Sequence, residues 1–273
     1  MVVKTGGKRG ILSCVTLVLV CLVLFAAFSE VLMPSTGKKT KKAGSMVVDY
    51  SNQSEGYVMI KASSKKKLKL RVKMGNNKVL DYDLRNDGTY EVFPLQYGSG
   101  KYSLTLYSNV SGKKYAEDGK MTLSVQMEDE NSCFLYPNQY VNYDEETASV
   151  VEAASLCEGK TEAKDIYNAV CSYMKNNFSY DYIKAATIKS GQLPDIDGAW
   201  TKHMGICQDL SAIMVSMLRS QGVPAKLMIG TLGKSTYHAW VGAIIDGEEV
   251  QFDPTAAISG VDGNQTYTLE RYY

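Results

Sequence analysis

The stretch 205–255 sets the terms for any fold this chain adopts, because within it the apolar period changes from that of a helix to that of strands. Leu210, Ile213, Met214, Met217 and Leu218 recur at i, i+3, i+4, i+7 and i+8, the pattern of an amphipathic helix, and Gly222 followed by Pro224 ends it. Val223, Ala225, Leu227 and Ile229 then alternate as a strand, and two further strands flank Asp246-Gly247, a dipeptide suited to a tight hairpin. Cys207 opens the helix, and the hairpin strands carry His238 and Asp253. A thiol, an imidazole and a carboxylate in this order suit a nucleophile, its base and the group that orients the base.

The hairpin makes a geometric expectation. If Asp246 and Gly247 are the two turn residues, Ile245 faces Glu248 and, counting back, His238 faces Thr255. Asp253 is then diagonal to His238 on the same face, at the roughly 7 to 8 Å that an imidazole–carboxylate hydrogen bond can span. A one-residue bulge would turn Asp253 away. At the helix start, the unpaired amides and the dipole favour a thiolate at Cys207, whose own amide is placed to donate to an oxyanion. Gln208 and Asp209 read as residues that cap or line this helix start, and Trp240 as a packing partner that excludes water beside His238.

These blocks together resemble the core of the transglutaminase-like superfamily. They are G-x-C-x-D at Gly205, Cys207 and Asp209, L-R-S-Q-G-V-P-A-K from Leu218 to Lys226, H-A-W at His238 and D-P-T at Asp253. The resemblance covers roughly 145–257 and implies a papain-like α+β core, the helix bearing the cysteine packed on an antiparallel sheet. It implies Cys207 as nucleophile, His238 as general base and acid, and Asp253 as the orienting acid. An upstream aromatic that helps hold the oxyanion would be Tyr180 or Tyr182. With Gln208 and Trp240 these complete the candidate site. The chemistry would be attack on a peptide or carboxamide carbonyl through a thioester, resolved by water or by a second amine. Hydrolysis is favoured, because the chain lacks the multi-domain layout of the animal cross-linking members. A surface interaction protein that carries the trio without using it is the reading from another class.

No cofactor and no metal are expected. His203 is the only other histidine, and no Cys-x-x-Cys accompanies it. Nucleic acid is also an unfavoured partner, since 30 Lys and Arg stand against 29 Asp and Glu.

The remaining chain suggests how this core is presented. Lys4, Lys8 and Arg9 in an n-region, 1–10, precede an uninterrupted apolar run, 11–28, read as a transmembrane or signal segment. The favoured reading is an uncleaved anchor with the catalytic part outside the cell membrane. Cleavage after Ser29, giving a secreted protein, is the other. Residues 29–45, rich in Lys, Gly, Ser and Thr, read as a flexible linker. From 46 to 130 the period is two: Leu68, Leu70, Val72 and Met74 alternate with lysines and arginine, and Leu80, Tyr82 and Leu84 repeat the device. About seven short strands separated by Gly- and Asn-rich turns suggest an all-β, immunoglobulin-like sandwich ahead of a catalytic domain over 131–273. Peptide or protein at the cell surface, cell-wall peptide included, is the expected substrate. Any two of Cys133, Cys157 and Cys171 could pair in an oxidising compartment.

Overall fold

A computed structural model describes residues 37–76, 78–260 and 266–273. The n-region and the apolar run lie outside the described residues, and no helix among those described is long and apolar enough to cross a membrane.

The first half is two antiparallel sheets. Strands β1 (Thr40–Ala43), β2 (Met46–Asp49), β3 (Tyr57–Ala62) and β6 (Glu91–Pro94) form one, in the order β1-β2-β3-β6. Strands β4 (Leu68–Met74), β5 (Lys78–Leu84), β7 (Gly100–Ser111) and β8 (Lys114–Val125) form the other, in the order β5-β4-β7-β8. The alternation explains both faces: Leu68, Leu70, Val72, Leu80, Tyr82, Leu104 and Leu106 are buried. On the outer face, residues directly opposite in the register carry opposite charge. Arg71 donates to Asp81 at 2.7 and 2.8 Å, and Lys69 to Asp83 at 2.8 Å. Near the start of β7, the Tyr102 hydroxyl lies 2.7 Å from the Leu95 carbonyl and 2.8 Å from that of Gly98, both ahead of the strand.

The linker expected to reach residue 45 ends sooner. Thr40–Ala43 pairs with β2 as a short, lysine-bearing edge strand, and the turn at Gly44, in the left-handed region, packs on the Asp118–Gly119 backbone of β8. A side chain at Gly44 would collide with that backbone, so this closure depends on glycine. Lysine on an edge strand discourages pairing with another chain.

The second half is mixed α and β. Helices α1 (Ala148–Leu156), α2 (Ala163–Asn177), α3 (Tyr182–Thr187) and α4 (Ile196–Lys202) lead to α5 (Cys207–Ser220). Strands β9 (Ser179–Tyr180) and β10 (Met204–Gly205) make a short parallel pair between them. Strands β11 (Ala225–Leu232), β12 (Thr236–Ile245), β13 (Glu248–Phe252) and β14 (Tyr267–Tyr272) form an antiparallel sheet ordered β13-β12-β11-β14, and α6 (Pro254–Ser259) follows β13.

Helix α5 is buried on every side except at Gln208, not along one stripe as its apolar periodicity suggests. Its polar residues are therefore satisfied internally. Ser211 donates to the Ala239 carbonyl at 3.2 Å, and the Ser216 hydroxyl lies 2.8 Å from that of Ser149. Arg219 donates to the carbonyls of Ala225 (2.8 Å), Tyr136 (2.6 Å) and Tyr273 (2.9 Å), tying the helix end to β11 and to two distant segments. Burial pushes its pKa below the ordinary arginine value. Cys133, Cys157, Cys171 and Cys207 are free thiols.

Candidate active site

The helix start is assembled by Asp209. Its fully buried carboxylate accepts from the Ile206 amide at 3.0 Å and the Asp195 amide at 2.9 Å, and pairs with the Lys184 ammonium at 2.8 Å. The charge satisfies an otherwise unpaired amide at the amino end of α5 and favours the helix dipole. It also draws in the loop that precedes α4. Asp195 in turn caps α4 by accepting from the Gly198 amide at 3.0 Å. Cys207 is thus the first residue of a helix whose entry is clamped from three directions.

The hairpin brings the other two groups to the thiol. Asp246 and Gly247 both have positive φ, 53° and 82°, as a two-residue type I′ turn requires. Pairing follows the expected register from Ile245–Glu248 back to Val241–Phe252. It stops there, because Pro254 starts α6, so His238 pairs with Gly230 of β11 and has no strand partner at Thr255. Asp253 remains on the His238 face, as the first position beyond β13 and the cap of α6.

Its carboxylate is fully engaged. Oδ1 accepts from the Thr255 and Ala256 amides at 2.9 and 3.2 Å, and Oδ2 accepts from His238 Nε2 at 2.7 Å and from the Tyr267 hydroxyl at 2.8 Å. With Nε2 donating to the carboxylate, Nδ1 is the ring nitrogen left for the thiol. Burial alone would lower the His238 pKa, but hydrogen bonds from the ring to Asp253 and Cys207, and their negative charge, raise it to about 9. Burial alone would raise the Asp253 pKa. The hydrogen bond and charge of His238, followed by Tyr267 and the Ala256 amide, instead hold it below the ordinary carboxylate value.

Cys207 lies on a hollow of about 650 Å³, whose walls include Tyr180, Gln192, Pro194, Gln208, Tyr237 and Arg271. Of the two aromatic candidates, Tyr180 faces this hollow, while Tyr182 is 73% exposed and does not line it. Gln208 lines it and donates to the Gln192 carbonyl at 3.1 Å, closing the loop over the helix start. Trp240, 1% exposed, is buried beside the His238 ring and donates to Gln251 at 3.2 Å, so it shields the imidazole without reaching the hollow. His203 sits at the carboxyl end of α4 with φ 48°, its ring against Phe178.

Sequence reasoning missed three contributors: Tyr267, Tyr237 and Arg271. Arg271 donates to the Tyr237 hydroxyl at 2.9 Å, and both side chains border the hollow. Strand β14 reads Y-T-L-E-R-Y, which has no apolar alternation, and nothing local announces that its first tyrosine reaches Asp253.

A buried helix presenting a cysteine, packed on an antiparallel sheet that carries a hydrogen-bonded histidine and aspartate, places this part of the chain in the class of α+β thiol proteins. Within that class, residues 152–254 match the family model of the transglutaminase-like superfamily. No curated protein matches the chain. Among solved structures, a candidate cysteine protease from Cytophaga hutchinsonii is 13% identical, covering 86% of this chain and 90% of its own, with a TM-score of 0.40. The periplasmic domain of TgpA from Pseudomonas aeruginosa is 12% identical over 83% and 96%, with a TM-score of 0.38. Red sea bream transglutaminase is 13% identical over 72% and 47%, with a TM-score of 0.30.

Proposed function

We propose that the protein is a thiol enzyme that cleaves peptide or carboxamide bonds through a Cys207–His238–Asp253 triad and a thioester. The observation that carries this reading is the 2.7 Å bond between His238 Nε2 and Asp253 on the hairpin face that meets Cys207. An imidazole that keeps its proton to about pH 9 is cationic at neutral pH, which suits a thiolate–imidazolium pair. The sulfur attacks the carbonyl carbon, with the Cys207 amide aimed at the developing oxyanion and Tyr180 beside it. His238 then delivers its proton to the leaving amine as the C–N bond breaks. Water, deprotonated by His238, resolves the thioester to a carboxylate and regenerates the thiol.

Hydrolysis is preferred to transfer onto an amine. The enzyme works outside the cell membrane on peptide or protein at the cell surface, a placement supported by the basic n-region and apolar run that open the chain. Ahead of it stands an immunoglobulin-like sandwich. That reading is supported by the sheet orders β1-β2-β3-β6 and β5-β4-β7-β8, and by the Tyr102 hydroxyl bonding back to Leu95 and Gly98 in the manner of a tyrosine corner.

The test is mass spectrometry of glutamine-containing peptides incubated with wild type or Cys207→Ala, with and without a primary amine. Cleaved or deamidated products that need Cys207 support the reading. Amine adducts dominating the products would make it a transamidase, and identical spectra for both proteins would end the enzyme reading.

A further inference from the structure

The hollow at Cys207 is walled wholly by the second half of the chain, and a separate hollow lies next to it. A second hollow of about 470 Å³ lies where residues 137–143 meet the two β-sheets, and Pro194 borders both. The adjacent residues Gln139 and Tyr140 line one each, so the two hollows are neighbours along the same loops. The far wall of the second hollow is formed by Arg85, Tyr90 and β6, and β6 is the last strand of its sheet. The floor is held by Gln139, whose side-chain amide donates to the Asp83 carbonyl at the end of β5 and, at 2.8 Å, to the Glu91 carboxylate of β6.

Glu91 and Val92 at the start of β6 are part-exposed while Phe93 and Pro94 are buried, so this edge presents a short row of backbone donors and acceptors. A polypeptide in extended conformation is the ligand whose own backbone matches such a row, with side chains received by pockets on either side. We propose that the first half of the chain supplies a distal subsite for a polypeptide substrate, which lies from Cys207 over Pro194 to Tyr90 and the part-exposed start of β6. This rests on the thiol reading for its reactive end and names the substrate class: extended polypeptide, not a small amide. At about 3.3 Å per extended residue, a dodecapeptide spans about 40 Å, whereas a dipeptide amide fills only the space at Cys207.

The experiment compares kcat/KM of the full-length protein on a blocked glutaminyl-glycine amide and on a dodecapeptide library with random flanks around a fixed glutamine. Cleavage and deamidation are both read by mass spectrometry. The library is expected to be turned over about tenfold more efficiently than the short substrate. Tyr90→Ala and Arg85→Ala, both remote from Cys207, should remove most of that advantage while leaving turnover of the short substrate unchanged, which also reports that they fold. Equal turnover of long and short substrates, or an advantage that survives both substitutions, would overturn the subsite. Should wild type turn over neither, the thiol reading fails separately. Anisotropy of a fluorescein-labelled library then decides the groove: weaker binding to Tyr90→Ala than to wild type retains it, and equal binding overturns it.

Discussion

Asp253 accepts from two backbone amides, an imidazole and a phenol, and no other carboxylate near the candidate site is so fully committed. Removing the phenol oxygen alone should therefore be informative. Tyr267→Phe keeps the ring packed on Trp240 but deletes one donor to Oδ2, so the Asp253 pKa rises. The acid limb of the kcat–pH profile is expected to move to higher pH, and kcat to fall about fivefold. An unchanged profile would show Tyr267 to be packing only. His238 supplies the opposite pH dependence. Its folded pKa lies above the ordinary value, so the stability it gains from Asp253 is complete below about pH 6.5 and is lost as pH rises through about 9. Asp253→Asn retains the helix cap but breaks the ion pair. Wild type should exceed it by about 2 kcal/mol in urea denaturation at pH 6, and by clearly less at pH 10. At this scale the cysteine, histidine and aspartate were legible because residue type and spacing announce them. Tyr267 was not, because its role depends on a strand pairing that no local pattern encodes.

Among the elements, α5 and the hairpin decide the site. The helix start holds because Asp209, read beforehand only as a capping residue, binds two amides and a lysine while buried. The helix end holds because Arg219 binds three carbonyls. Removing Arg219 takes a charged donor from three buried carbonyls and leaves its space empty, so Arg219→Ala should lose about 3 kcal/mol or more in thermal or urea unfolding. A surface arginine would lose almost nothing. The apolar spacing of α5 was readable, yet its complete burial was not, since the serines and arginine that look like a wet face find their partners in other segments. The hairpin turn was readable from Asp246-Gly247. Gly247→Ala, at φ 82°, should cost about 1 kcal/mol and leave the fold intact.

For the whole molecule, the boundary near residue 130 visible in the sequence is not a gap in the packing. Tyr82 of β5 meets Tyr140 and Tyr273, Tyr140 stacks on Tyr273 with ring centroids 3.6 Å apart, and Gln96 donates to the Tyr272 carbonyl. Buried residues from both halves join one core. Calorimetry of residues 37–273 should then show a single cooperative transition, with calorimetric and van't Hoff enthalpies in agreement. Two separated transitions would show that the halves are independent. This junction was hidden from sequence reasoning because tyrosines far apart in the chain, Tyr82, Tyr140 and Tyr273, carry it, and aromatic enrichment alone does not say which rings meet.

The central claim is that Cys207 is an activated thiol because His238 stands beside it. Burial raises the pKa of the other three described cysteines, those of Cys133 and Cys171 to about 12, which makes them poor competitors for an alkylating reagent. Iodoacetamide labelling from pH 5 to 9, with the adduct mapped by peptide mass spectrometry, reads this directly. Cys207 is expected to be labelled first, well below pH 8, and about tenfold more slowly in His238→Asn at pH 6.5. Labelling of Cys207 no faster than that of Cys171, or a rate indifferent to His238, would contradict the account.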